Sequence, residues 1–131
     1  VAEQSTGRRE GGSAIVDFVL VMLILVPLVL GIIQVALVLH VRNVTTSAAS
    51  EGARAAAVLD APLAVGVDRT RQQIRAGIAD RFAEHVTARP TAVAGAPGVE
   101  VVVTSQVPAL GLFGPAVTVT VRGHAISEVE P

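Results

Sequence analysis

Asp17 is the ionisable residue whose position most asks for a chemical reason. It stands at the threshold of the longest apolar run in the chain, which passes from Phe18 to Ile33 without a polar residue and resumes after Gln34 from Val35 to Leu39. A carboxylate at the centre of a membrane helix costs about 2.5–3.5 kcal/mol on insertion scales, and less near the headgroups. Taken alone, Asp17 reads as an interfacial N-cap; any stronger role requires a cation within reach.

Other side chains offer little reactive chemistry. The three histidines, His40, His85 and His124, show no metal-ligand spacing. The chain has no cysteine, which excludes disulfides, thiolate metal sites and thiol catalysis. It contains no G-x-S-x-G, P-loop or G-x-G-x-x-G motif, and no nucleophile stands out with a base. The expectation is a protein that is not an enzyme, with no catalytic residue, metal, cofactor or small-molecule substrate. A net charge of −1, with three Phe and neither Trp nor Tyr, argues against a nucleic-acid partner.

The elements that position Asp17 follow from hydropathy. Of the 131 residues, 51% are hydrophobic, with the excess concentrated between residues 14 and 39. Residues 1–12 are polar and glycine-rich and read as a flexible cytoplasmic leader. Phe18–Leu39 as a helix is about 33 Å long, enough for a hydrocarbon core of about 30 Å. A secretory signal has an apolar core of about 7–15 residues, so the longer run here reads as a retained anchor. Arg8 and Arg9 before it place the N-terminus inside, against Arg42 and Arg54 after it. Pro27 removes one helical hydrogen bond and, with Gly31 nearby, marks a kink.

Beyond the membrane the helix is expected to continue to Val58, giving one long element over residues 13–58. Its outer half carries a small-residue stripe, Ala48, Gly52 and Ala56, which admits close approach of another helix or sheet. Glu51 and Arg54, three apart, are expected to pair. Asp60-Ala61-Pro62 breaks the helix, and residues 62–131 read as a small extracytoplasmic α+β domain. Within it, a second helix is expected from Asp68, as N-cap, to Thr87, with Ile74, Ile78, Phe82 and Val86 on one face. TAVAGAPG follows as a linker. Strands are expected at residues 99–107, with Val99, Val101, Val103 and Val107 on one face, and at 116–126, with Val117, Val119 and Val121 inward. The connection PALGLFGP carries Leu110, Leu112 and Phe113, an apolar tip to be buried under the strands or to meet a partner or the membrane surface. The expected fold is α+β: a long N-terminal helix, membrane-embedded in its first half, with a second helix and a C-terminal antiparallel β-hairpin packed on its outer half.

A glycine, four residues, an acid, then Phe and a long apolar helix resembles a type IV prepilin processing site. More narrowly, GSAIVDFVLVMLILVPLVLGIIQVAL and RNVTTSAASEGARAAA resemble the TadE-like family, minor pilins or pseudopilins of the tight-adherence (Flp) pilus systems of bacteria and archaea. The resemblance covers Gly12 to Ala57. It implies cleavage between Gly12 and Ser13 by a prepilin peptidase on the cytoplasmic side, so that Ser13 carries a new α-ammonium. It makes Asp17, followed by Phe18, the acid that pairs with that amine or with a neighbour's; most relatives have Glu there. The implied partners are the membrane, the peptidase, other pilins and the pilus assembly platform, in adhesion or secretion. The competing reading is an uncleaved, single-pass, membrane-anchored extracytoplasmic binding or sensor module. If Pro27 serves as a bending point on entry into a helix bundle, Pro27→Ala will impair assembly more than membrane insertion. Comparing pilus yield with membrane fractionation checks this; equal loss of both would contradict it.

Overall fold

The computed structural model describes residues 6–110 and 116–129. The first helix, α1, spans Thr6–Ala57, a rod about 78 Å long. It begins well before the expected start, taking in part of the stretch expected to be flexible. Residues 6–12 lack proline, and once a helix is nucleated each further residue adds a hydrogen bond at little cost. No residue from Ile15 to His40 is buried. This is the helix that is long and apolar enough to cross a membrane, and it passes through Pro27 without interruption.

Burial begins at Val41 and follows two adjacent ridges, each with a four-residue step. Val41, Thr45, Ala49, Ala53 and Ala57 form one, and Ala48, Gly52 and Ala56 the other. The residues are nearly all small, and the rest of the fold closes on them.

Helix α2 spans Leu63–Gly77 and a single 3-10 turn follows at Asp80–Ala83. Three strands complete the chain: β1 at His85–Val93, β2 at Ala96–Val107 and β3 at Val117–Ile126. They form an antiparallel sheet in the order β1-β2-β3. The core lies between the outer half of α1, α2 and one sheet face, and its largest buried side chains include Phe82, Ile74, Val41, Val101, Val103 and Val107.

The α+β class holds, and four expectations inside it are corrected. The second helix starts after Pro62, whose carbonyl accepts from Val65 N–H at 3.0 Å, so Asp68 lies within the helix and does not cap it. The helix stops at Gly77, where a Cβ would come within 2.8 Å of Val44 Cγ1. Ile74, Phe82 and Val86 do reach the core, but from a helix, a turn and a strand, so their four-residue spacing mimics one helical face. The supposed linker is a hairpin. Ala94 (φ 50°) and Gly95 (φ 83°) take the left-handed conformations of a two-residue turn, and Val93 pairs with Ala96 across it. Pro90 is tolerated because β1 is an edge strand. Val117 opens β3 and is exposed, whereas Val119 and Val121 are buried. Leu112 and Phe113 lie outside the described residues.

Glycines set the spacing between layers. A Cβ on Gly52 would lie 1.8 Å from Thr70 Oγ1 and 2.5 Å from the Gly66 carbonyl oxygen. A Cβ on Gly66 would lie 2.7 Å from both Ala56 Cβ and the Gly52 oxygen. On the other ridge, a Cβ on Gly123 of β3 would lie 2.3 Å from the Ala49 carbonyl carbon. Gly52→Ala is therefore expected to destabilise the protein by about 1–3 kcal/mol, the usual cost of overpacking. Gly31→Ala, where a Cβ meets nothing within 4 Å, is expected to be neutral or stabilising. Thermal unfolding of the detergent-solubilised chain compares the two.

Candidate functional site

Gly12, Ser13, Asp17 and Phe18 lie on one uninterrupted stretch of α1, all exposed. The spacing of four from Ser13 to Asp17 sets them one above the other on the same helix face. A Cβ on Gly11 or Gly12 would meet nothing within 4 Å, so the backbone there is open to approach. Around and just above Asp17 the helix is bare: Ile15 is 66% exposed, Leu23 69% and Ile24 71%. Such a surface requires lipid or other apolar helices as its solvent.

The outer half of α1 is instead occupied by its own chain. Ala48, Gly52 and Ala56 are brought together against α2. Thr70 Oγ1 donates within its own helix to the Gly66 carbonyl at 2.8 Å and lies 3.3 Å from the Ala48 carbonyl of α1. Glu51 pairs with Arg69 of α2 at 3.2 Å and not with Arg54, the expected partner. Packing of α2 at that level carries Arg69 to the carboxylate from another element, a contact that spacing along α1 cannot reveal. Exposed as it is, the pair contributes at most about 1 kcal/mol.

Gln34 acquires a role that sequence reasoning missed. Its side-chain amide donates to the Pro108 carbonyl at 3.2 Å and accepts from Leu110 N–H at 2.9 Å. The signal was present in the sequence as the lone polar residue within the apolar run, but its partners lie more than seventy positions away.

Comparison with known families bears on this helix. A family model described as TadE-like protein matches residues 12–54. This segment is TadE-like. No curated protein and no solved structure matches the chain. The TadE-like segment starts at Gly12, contains Asp17, the whole apolar run and Gly52, and ends at Arg54. The apolar run and most of the α2-packing surface, including Ala48 and Gly52 but not Ala56, thus fall in one matched unit, whereas α2 and the sheet lie beyond it. A TadE-like segment with a long apolar helix fits a membrane protein associated with a Tad pilus.

The main charge cluster outside the TadE-like segment is on the outward sheet face. Glu100 is paired in register with Arg89 of β1 and His124 of β3. Arg89 donates to Glu100 Oε2, His124 Nε2 lies 3.1 Å from Oε1, and Arg122 Nε lies 3.9 Å from Oε1. These neighbours cover the carboxylate, which is 4% exposed. The Arg89 hydrogen bond is the main cause holding Glu100 below its ordinary 4.5; burial pushes the other way, and the Arg89 charge, the His124 hydrogen bond and the Arg122 charge reinforce the lowering. The arrangement staples three strands and brings no nucleophile to a base. Among the described residues no group of three or more His, Asp or Glu is placed to hold a metal.

A lowered folded value means that the unfolded chain binds the proton more readily. The stabilisation is therefore complete above about 4.5 and is lost as pH falls through the folded value. Denaturant unfolding of wild type and Glu100→Gln at several pH values is expected to show a gap that is widest near neutrality and closes on acidification.

Proposed function

We propose that the protein is a non-enzymatic structural component of a Tad (Flp, type IV-like) pilus assembly, a minor pilin or pseudopilin acting in adhesion or secretion. Its first helix is held in the cell membrane with the N-terminus cytoplasmic, and its α+β part stands outside. The observation that carries this reading is the coincidence of the TadE-like match over residues 12–54 with a helix that buries no side chain from Phe18 to Leu39 and is touched by its own chain only near the upper end of that run, at Gln34, Leu37 and Val38, among the described residues. A surface of that kind needs lipid before assembly and other helices after it.

Prepilin peptidase cuts between Gly12 and Ser13 in this reading. The bond lies inside a helix, so cleavage requires local unwinding. The consecutive glycines favour it there, each being about 1 kcal/mol less favourable than Ala in a helix interior. The new α-ammonium at Ser13 lies one turn from Asp17. A carboxylate at that depth then has a cation, in its own helix or a neighbour's, and registers adjacent helices at matching height. Pro27 and Gly31 give the span a point at which to bend as it passes from lipid into a bundle. The partners are other pilins and the assembly platform.

N-terminal sequencing and intact mass of the protein from its native membrane test the reading. A mature chain beginning at Ser13 is expected; retention of residues 1–12 where the peptidase is active would favour the uncleaved anchored module instead. Asp17→Ala is expected to be cleaved but to assemble poorly, and Asp17→Glu to be nearly neutral, as scored by pilus yield.

A further inference from the structure

The apolar run on α1 and the folded domain overlap. Counted from Phe18, Gln34 lies about 24 Å along the helix, inside a hydrocarbon layer of about 30 Å. Yet Gln34 holds the backbone of Pro108 and Leu110, and Leu37 and Val38 already pack against the domain core. The domain therefore reaches down past the upper end of the membrane run.

The edge it presents there suits that depth. Pro108 and Leu110 are exposed after the buried Val107, and Val117, which pairs with Val107, is 40% exposed beside the exposed Ala116. None of these side chains is polar. The next register pair, Gln106 with Thr118, is polar, and on α1 the first ionisable residues above the run are His40 and Arg42. On helix and sheet alike, polarity thus begins a few residues above the Gln34 contact, with an apolar rim below it.

Backbone polarity at the rim is managed in the same way. A free carbonyl and N–H are costly in hydrocarbon, as is the amide of an isolated glutamine. The Gln34 amide and the loop backbone satisfy each other through one donated and one accepted hydrogen bond. In water neither group needs the other.

We propose that this rim, Pro108–Leu110 with Ala116 and Val117, is a lipid-contacting surface that seats the domain in the outer leaflet of the bilayer spanned by α1, with Gln34 as its clasp. The inference rests on the membrane-spanning part of the function proposed above and is independent of leader cleavage. The seat fixes the domain's height and keeps it from swinging about α1 while the helix stands in lipid. Extraction into a filament must then pull the rim out of lipid as well as the helix.

The absence of native cysteine makes single-site spin labelling direct. Full-length Leu110→Cys, Val26→Cys and Ala94→Cys, each carrying a nitroxide, are reconstituted in nanodiscs of phosphatidylethanolamine and phosphatidylglycerol. Collision with a water-soluble nickel chelate and with oxygen is then measured. Ala94 lies in the hairpin turn at the far end of β2 and serves as the aqueous reference, and Val26 reports the span. The expected result is that position 110 resembles 26, with several-fold less contact with the chelate than position 94, and that adding Gln34→Leu moves 110 toward the aqueous value. If 110 is as aqueous as 94 while 26 is in lipid, the rim is not a membrane seat and faces water or a protein. If 26 is aqueous too, the membrane span itself fails, and with it both readings.

Discussion

Everything outside the bare half of α1 depends on how little side chain the other half carries. Gly52 and Gly66 bring the backbones of α1 and α2 to a separation that no Cβ would allow, and Gly123 does the same for β3 over Ala49. Alanine fills most of the remaining helix surface in the core, at Ala48, Ala49, Ala53, Ala56 and Ala57. Close approach multiplies dispersion contacts, each individually tiny, and lets Thr70 lie within reach of a carbonyl of the neighbouring helix. Apart from Val41 and Thr45 at the lower end of the ridge, the larger buried residues come from the covering layers, in Phe82, Ile74, Thr70 and the valines of the sheet. A slender helix is thus wrapped without being thickened by its own side chains.

The same rod meets two solvents. From Glu10 to His40 no side chain is buried, and from Val41 onward an unbroken pair of ridges is. Because α1 is continuous through the change, a force or displacement acting on its apolar half is transmitted to the domain without a hinge outside the membrane. The Gln34 clasp adds a second connection near the boundary. For a component proposed to move from lipid into an assembly, this coupling makes the position of the domain a direct report of the position of the helix.

Acids are handled differently at the two ends. Glu100 is supplied with polar partners from three directions by strand register alone, the Arg89 guanidinium and the His124 ring across from it and the Arg122 guanidinium on the diagonal. Its charge is satisfied as soon as the sheet forms. Among the described residues no charged side chain from another element pairs with Asp17; in the function proposed above its partner is the amine that processing creates, in its own helix or a neighbour's.

Much of this was legible in advance. The bare span, the end of α1 within a residue of Val58 and the inward faces of β2 and of Val119 and Val121 all follow from periodicity and helix-breaking residues, which are local properties. The resemblance of Gly12 to Ala57 to the TadE-like family was also carried by contiguous residues. What misled was spacing shared by chance: Ile74, Ile78, Phe82 and Val86 repeat every four positions, so residues 78–87 read as helix when they hold a turn and the start of a strand. The marginal stability of two strands alone was the hint that a third was missing. Only the tertiary structure decided the partners of Glu51, Gln34 and Glu100, because each comes from a distant part of the chain. A sequence determines locally which solvent a segment tolerates; it takes the folded chain to say which polar groups, brought from different elements, end within hydrogen-bonding reach of one another.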